Sequence, residues 1–343
     1  MMTACKHCTR TGAGIGNRVA TVLFLAVALL TSLGWTEESW GQTKLPRVGI
    51  LTYGGNTDDE IRQRLEPFRR KLADQGRIEG QQVVFEIRRA AGDPSQLAEA
   101  AGELVRLKVD VIFADSAPSV RAAHAATSTI PIVAADFTND PIAAGYVESY
   151  GRPGKNITGV FLDAPEFSGK WLELLKAVVP DLSRAVVLWD PSPGSAHLQG
   201  VKGIARSLHL ELQVIEVRKP EDIDRAFSAL HGRPQALIVL PSPMTFLQSE
   251  RIAKLALKHR LPATSMIRAF ADAGGMLAYG PEGDPAYERC AVLVARILAG
   301  AKPGDLPVER PSKFELVVNL KTAKALGLAI PQSILLRADE VIR

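Results

Sequence analysis

Cysteine is scarce in this chain, and its three residues fall badly for any covalent or metal framework. Cys5 and Cys8 form C-K-H-C ahead of a long apolar run, no second pair exists to complete a zinc site, and a haem attachment needs His where Thr9 stands. Cys290 is then the one cysteine left in the body of the chain, so no internal disulfide is expected there. On a helical stretch it reads as a small buried apolar side chain. The six histidines (His7, His124, His197, His209, His231 and His259) show no metal-type spacing. The sequence contains no G-x-S-x-G, no G-x-x-x-x-G-K-[ST] and no H-E-x-x-H. Gly12-x-Gly14-x-Gly16 resembles part of a dinucleotide loop, but it follows no strand and precedes the apolar run. No catalytic residue, metal or cofactor is therefore expected. Charge of one sign is also lacking: 41 Lys and Arg against 37 Asp and Glu leave a net +4, scattered through amphipathic stretches, which argues against nucleic acid as a partner.

What is present is an ordinary globular composition, 46% hydrophobic and 23% charged, over 343 residues. That length exceeds one compact core and fits two domains of roughly 100 to 200 residues each. Lys6, Arg10 and Arg18 precede the apolar run Val19 to Leu30, and small residues follow at Ser39 and Gly41. This is the order of a secretory signal over residues 1–41, cut near Gly41, with an uncleaved anchor as the alternative. No cysteine follows the run closely, so a lipid anchor is not expected, and the mature chain is placed in the periplasm.

From Pro46 onward short β-rich runs alternate with amphipathic helical segments, the pattern of a parallel sheet covered on both faces. Strands are expected over 47–53, 83–87, 109–114, 130–137 and 157–162, then over 185–189, 212–217, 236–240, 263–267, 276–280 and 314–318. Thr57 to Glu60 reads as a capping box opening a helix on which Ile61, Leu65, Phe68 and Leu72 share one face. A single helix is expected from Thr245 to His259.

In parallel α/β sheets ligands bind beyond the carboxyl ends of the strands, where loops and helix starts converge. That rule nominates Tyr53, Gly54 and Gly55, Ser116 and Ala117, Asp136, Phe137 and Asp140, and Asp163 in the first half. In the second half it nominates Asp190 and Ser192, Ser242 and Met244, and Tyr279. Small residues allow close backbone approach, hydroxyls at helix starts hold polar groups, and aromatics supply flat walls. Taken singly, Ser116, Ser192 and Ser242 are caps and Gly54 is a turn; their recurrence at strand ends argues for a site. A zwitterionic ligand would set its ammonium against Asp136 or Asp190 and its carboxylate against Ser116 or Ser242.

Several segments resemble the ABC transporter substrate-binding family of the type I periplasmic-binding-protein class, over Pro46 to Arg343. They are Leu72 to Gly80 (LADQGRIEG) with Val83 to Arg88, Ala126 to Val133 (ATSTIPIV) with Asp140-Pro141, Arg152 to Val160 (RPGKNITGV), Phe314 to Ile330 (FELVVNLKTAKALGLAI) with Pro331, and Arg337 to Ile342 (RADEVI). The resemblance implies an α/β fold of two Rossmann-like lobes with parallel sheets, joined by three crossovers that act as a hinge, with a ligand cleft between. The lobes are placed at 46–160 plus about 281–305, and at 161–280 plus about 306–343. It also implies a monomer that hands a small polar, amino-acid-like ligand to the membrane permease of an importer, and no enzyme. A sensor-input protein of the same fold and an exported α/β enzyme remain as alternatives. Asp115-Ser116-Ala117 and Asp136-Phe137-Thr138-Asn139 depart from the family's usual turns, so the ligand class does not carry over.

Overall fold

The central strands of the first sheet are buried along nearly their whole length, which is why their sequence reads as apolar runs. In this computed structural model residues 44–54, 57–90, 92–162 and 164–343 are described. The expected leader, Gly55 and Asp163 lie outside them. β1 (Arg47–Thr52), β2 (Val84–Arg89), β3 (Val111–Ala114), β4 (Ile132–Asp136) and β5 (Ile157–Phe161) form an all-parallel sheet in the order β2-β1-β3-β4-β5. Every side chain of β3, β4 and β5 is buried, as a sheet covered on both faces requires. The order reverses at β1, so the strands on its two sides are reached by helices on opposite faces.

The second sheet has the order β12-β11-β10-β9-β8-β6-β7. Its strands are β6 (Arg184–Trp189), β7 (Glu211–Glu216), β8 (Ala236–Val239), β9 (Ala263–Ser265), β10 (Leu277–Pro281), β11 (Phe314–Asn319) and β12 (Glu340–Ile342). All neighbours are parallel except β10 and β11, which run antiparallel. The chain passes between the sheets after β5, after β10 and before β11. The last two passages lie side by side, with Glu282 N–H donating to the Lys313 carbonyl at 3.1 Å.

Two packing details place the site. The helix Gly283–Leu298, reached from β10, buries Ala286, Cys290, Ala291 and Val294 in the core of the first sheet, with Phe68 and Phe113. There Phe68 stacks on Phe113 at 4.5 Å, and Phe113 meets Tyr287 edge-on at 5.5 Å, which fixes the Tyr287 ring at the strand ends. The segment from Gly304 to Glu309, of which residues from 306 onward were expected with the second lobe, lies along β5 instead. Thr158 Oγ1 donates to Leu306 O at 2.8 Å, Phe161 N–H to Glu309 O at 2.9 Å, and Glu309 N–H to Gly159 O at 2.9 Å. These partners satisfy backbone groups that an edge strand would leave open.

Two expected helices are each interrupted. Ile61, Leu65, Phe68 and Leu72 are all buried as expected, but the helix breaks at Leu65 into Asp58–Arg64 and Glu66–Asp74, because Pro67 lacks the N–H that would continue the ladder. The segment after β8 divides into Pro243–Leu247 and Ser249–Lys258.

Candidate functional site

The carboxyl ends of the two sheets face each other across a cavity of about 260 Å³. From the first sheet it is lined by Gly54 after β1, by Asp115, Ser116, Ala117 and Pro118 after β3, and by Phe137 and Thr138 after β4. From the second it is lined by Pro193 after β6, by Pro241, Ser242, Pro243 and Phe246 after β8, and by Met266, Ile267 and Arg268 after β9. Pro281, Gly283, Tyr287 and Glu315, on or beside the passages between the sheets, complete it. Four prolines on the second-sheet side hold the backbone rigid, and Phe137, Phe246 and Tyr287 give aromatic surface.

The walls carry two ion pairs. Arg64, at the end of the helix Asp58–Arg64, places Nη2 2.9 Å from Asp115 Oδ2 and 3.0 Å from the Gly54 carbonyl, and also donates to Thr52 Oγ1. Thr52 Oγ1 donates in turn to Asp115 Oδ2 at 2.8 Å. Burial pushes the Asp115 carboxyl up, against the pull of Arg64 and the Thr52 hydroxyl. Burial, and then the nearby Asp115 charge, likewise raise the Tyr287 phenol. Arg64 Nε is buried and has no hydrogen-bond partner among the described residues. On the opposite side Arg268 Nη1 lies 3.4 Å from Glu315 Oε2.

Of the residues nominated from sequence, Gly54, Ser116, Ala117, Phe137 and Ser242 come together on this cavity. Ser116 and Ser242 also serve as caps: Ser119 N–H donates to Ser116 Oγ at 3.4 Å, and Ser242 with Thr245 forms a capping box. Asp136, Asp140, Asp190, Met244 and Tyr279 are not part of this lining, so the strand-end aspartates expected to meet a ligand ammonium do not face the central cavity.

Asp136 is 0% exposed and turned onto its own loop, accepting from Thr138 N–H, Thr138 Oγ1 and Asn139 N–H on one oxygen and from Asn139 Nδ2 on the other. Burial raises its carboxyl despite those four donors. Asp140 caps Ile142 N–H at 2.8 Å. Asp190 accepts from Ser192 N–H and Ser192 Oγ, both at 2.9 Å. All three aspartates are occupied by local turns, the commonest use of Asp at a strand end.

Met244 is 6% exposed and packs into the core of the second sheet. Tyr279 stacks on Phe167 with centroids 5.1 Å apart, beside a separate cavity near the passages between sheets. Tyr53, Asp190 and Ser192 line an outer space of about 530 Å³ with Arg121 and Arg218. Pro118 lines both that space and the central cavity. The Tyr53 hydroxyl donates to Gly92 O at 2.7 Å, and burial, then Asp190 and Asp93, push it up to about 12. Arg121 crosses the gap, donating to Ser192 O at 3.1 Å and Pro193 O at 3.3 Å.

Among the described residues no cluster of three or more His, Cys, Asp or Glu is arranged to hold a metal ion, and no helix is long and apolar enough to cross a membrane.

Two mostly parallel α/β sheets, joined by three chain passages and facing each other across a cavity at their strand ends, define the architecture of the type I periplasmic binding proteins. Residues 57–342 match the family of ABC transporter substrate binding proteins, and the chain belongs to it. Members of that family bind substrate without converting it, so the chain is a binding protein and not an enzyme.

A tyrosine-binding protein from Clostridioides difficile is 26% identical over 265 residues, which cover 76% of this chain and 75% of the relative. A conserved domain protein from Vibrio cholerae shares the fold with a TM-score of 0.78 and 25% identity, over 87% of this chain and 100% of the other. The ABC domain from Streptococcus pneumoniae crystallised with L-Trp gives a TM-score of 0.79 at 23% identity, again over 87% and 100%.

Proposed function

We propose that this chain is the ligand-capturing component of an ABC importer, and that its ligand is an amino acid with a flat apolar side chain. The observation that carries the reading is the central cavity. Its volume of about 260 Å³ falls just below the roughly 300 to 1,000 Å³ of most small-molecule sites, so the guest is small. Its walls combine aromatic rings and prolines with an Arg64–Asp115 pair and an Arg268–Glu315 pair, so the guest joins an apolar body to groups of both charges.

On this reading Phe137, Phe246 and Tyr287 hold the side chain. Gly54, Ser116, Ala117 and Ser242 let the backbone approach closely, and the unpartnered Arg64 Nε donates to the carboxylate. The tyrosine-binding relative and the L-Trp complex support the same ligand class. The leader-like residues 1–41 support export to the periplasm, and family membership supports a membrane permease as the recipient of the ligand, with the binding protein acting as a monomer.

Isothermal titration of the purified mature chain with the protein amino acids tests the reading, with native mass spectrometry for any co-purified ligand. Saturable one-to-one binding is expected for L-tyrosine, L-tryptophan or L-phenylalanine. Binding of sugars or inorganic anions in their place, with no response to any amino acid, would overturn it.

A further inference from the structure

The two ion pairs on the cavity walls are not balanced alike. Among the described residues Arg64 has one carboxylate within ion-pair distance, Asp115 at 2.9 Å, with the Glu60 charge acting on it from farther away. Arg268 faces three: Asp272 at 3.3 Å, Glu315 at 3.4 Å and Glu340 at 2.5 Å. A single guanidinium cannot neutralise three carboxylates, and its shortest contact goes to Glu340, away from the cavity lining. Glu315 receives the longest of the three contacts. Its side chain is only 20% exposed, and water does little to compensate it.

Burial, with smaller repulsion from Glu282 and Asp272, holds the Glu315 carboxyl above its ordinary range despite Arg268. Glu315 is thus an under-neutralised carboxylate on the cavity wall, across from Arg64, which has a donor to spare.

Resting on the capture reading above, we infer that Glu315 is the group that recognises the ligand's ammonium, so that this protein demands a primary amine and rejects the matching deaminated acid. The carboxylate of the guest goes to Arg64 and its ammonium to Glu315, so the ligand spans the cavity from the first sheet to the second. Glu315 pairs with Gly280 in the antiparallel β10–β11 ladder, and two of the three passages between the sheets run through those strands. The ammonium therefore binds beside the hinge, where its charge completes an electrostatic arrangement that the protein leaves unfinished.

Titration of the mature wild-type chain compares L-tryptophan with 3-indolepropionate, and L-tyrosine with 3-(4-hydroxyphenyl)propionate. Each deaminated acid is expected to bind at least tenfold more weakly than its amino acid, the worth of one charge-assisted hydrogen bond. In Glu315→Gln, checked for folding by circular dichroism, the gap is expected to shrink below threefold because amino-acid binding falls. Glu340→Gln, at a half-exposed position, provides a second variant. It turns Arg268 toward Glu315 and is expected to weaken amino-acid binding about threefold while leaving the deaminated acid unchanged.

Equal affinity for amino acid and deaminated acid in the wild type overturns the inference, as does a gap that neither variant narrows. The capture reading survives both of those results. Absence of binding by all four compounds sinks that reading, and the inference with it.

Discussion

His197 joins the two sheets through its imidazole: Nε2 lies 2.9 Å from the carbonyl oxygen of Phe137 at the end of β4, and Nδ1 lies 2.8 Å from Ser168 Oγ. The neutral ring satisfies both contacts when Nε2–H donates to the carbonyl and Nδ1 accepts from the hydroxyl, a tautomer assigned from the acceptor identity of the carbonyl. Phe137 packs against the apolar cores of both sheets and lines the cavity, so the bond holds an aromatic wall of the site in place. His197→Ala leaves the Phe137 carbonyl and the Ser168 hydroxyl without this partner. It is expected to cost about 1 to 3 kcal/mol in urea denaturation and to weaken amino-acid binding severalfold by freeing the Phe137 ring. Unchanged stability and affinity would show that the link holds nothing.

Arg64 and Asp190 separate a residue on the cavity from one occupied by its own turn. Arg64→Ala removes the spare donor and strands Asp115 as a buried carboxylate. Ligand affinity is expected to fall at least tenfold, and stability by about 3 kcal/mol, the usual cost of breaking a buried pair. Asp190→Ala removes the acceptor for Ser192 N–H and is expected to lower stability by about 1 kcal/mol with less than a threefold change in affinity. Paired titration and denaturation of the two variants checks both, and the reverse pattern would place the site at the outer space instead.

The strands were legible in the sequence because buried parallel strands carry continuous apolar runs, and β1 and β3 to β6 emerged within a few residues of expectation. β12 was not. Glu340–Ile342 is three half-buried residues, and only its pairing with β11 makes it a strand. The site was half legible. The strand-end rule nominated Gly54, Ser116, Ala117, Phe137 and Ser242, which line the central cavity, since loops after parallel strands must meet there.

The same rule misled at Asp136 and Asp190, because a short carboxylate finds backbone N–H groups two residues ahead before it finds a ligand. Arg64, Tyr287, Arg268 and Glu315 were missed because they reach the cavity from helix ends or from the passages between the sheets. A usable signal existed for Tyr287, which shares the helical face of Cys290, Ala291 and Val294 and so had to turn toward the core, where it is half-buried.

Gly159 sits at φ +148°, and a Cβ there would lie 2.1 Å from the Ala134 carbonyl oxygen of the neighbouring strand. Since backbone must move, Gly159→Ala is expected to cost about 3 kcal/mol or more. Gly203, inside the helix Ala196–Ser207 with open space around it, is the converse. Gly203→Ala is expected to gain about 0.5 to 1 kcal/mol through helix propensity and loss of unfolded-state entropy. Urea midpoints of the two variants should move in opposite directions.

Acidification should weaken the complex earlier than an ordinary glutamate would allow. Burial raises the Glu315 carboxyl in the folded protein, so proton binding there favours the folded ligand-free state; that contribution is complete below the unfolded value of 4.5 and is lost as pH rises through the raised one. Ammonium recognition needs the opposite, ionised form. The ligand-induced rise in Tm is therefore expected to shrink between neutral and mildly acidic pH in the wild type, and to be small and nearly flat in Glu315→Gln. A wild-type rise that does not change over that range would separate Glu315 from the ligand.

The most direct measurement is a crystal structure of the mature chain with whichever aromatic amino acid titrates most tightly. Its ring should stack among Phe137, Phe246 and Tyr287, with its carboxylate within hydrogen-bond distance of Arg64 and the two sheets closed around it. Electron density for the ligand in the outer space beside Tyr53 and Asp190, or at the aromatic stack of Phe167 and Tyr279, with the central cavity empty, would contradict the account.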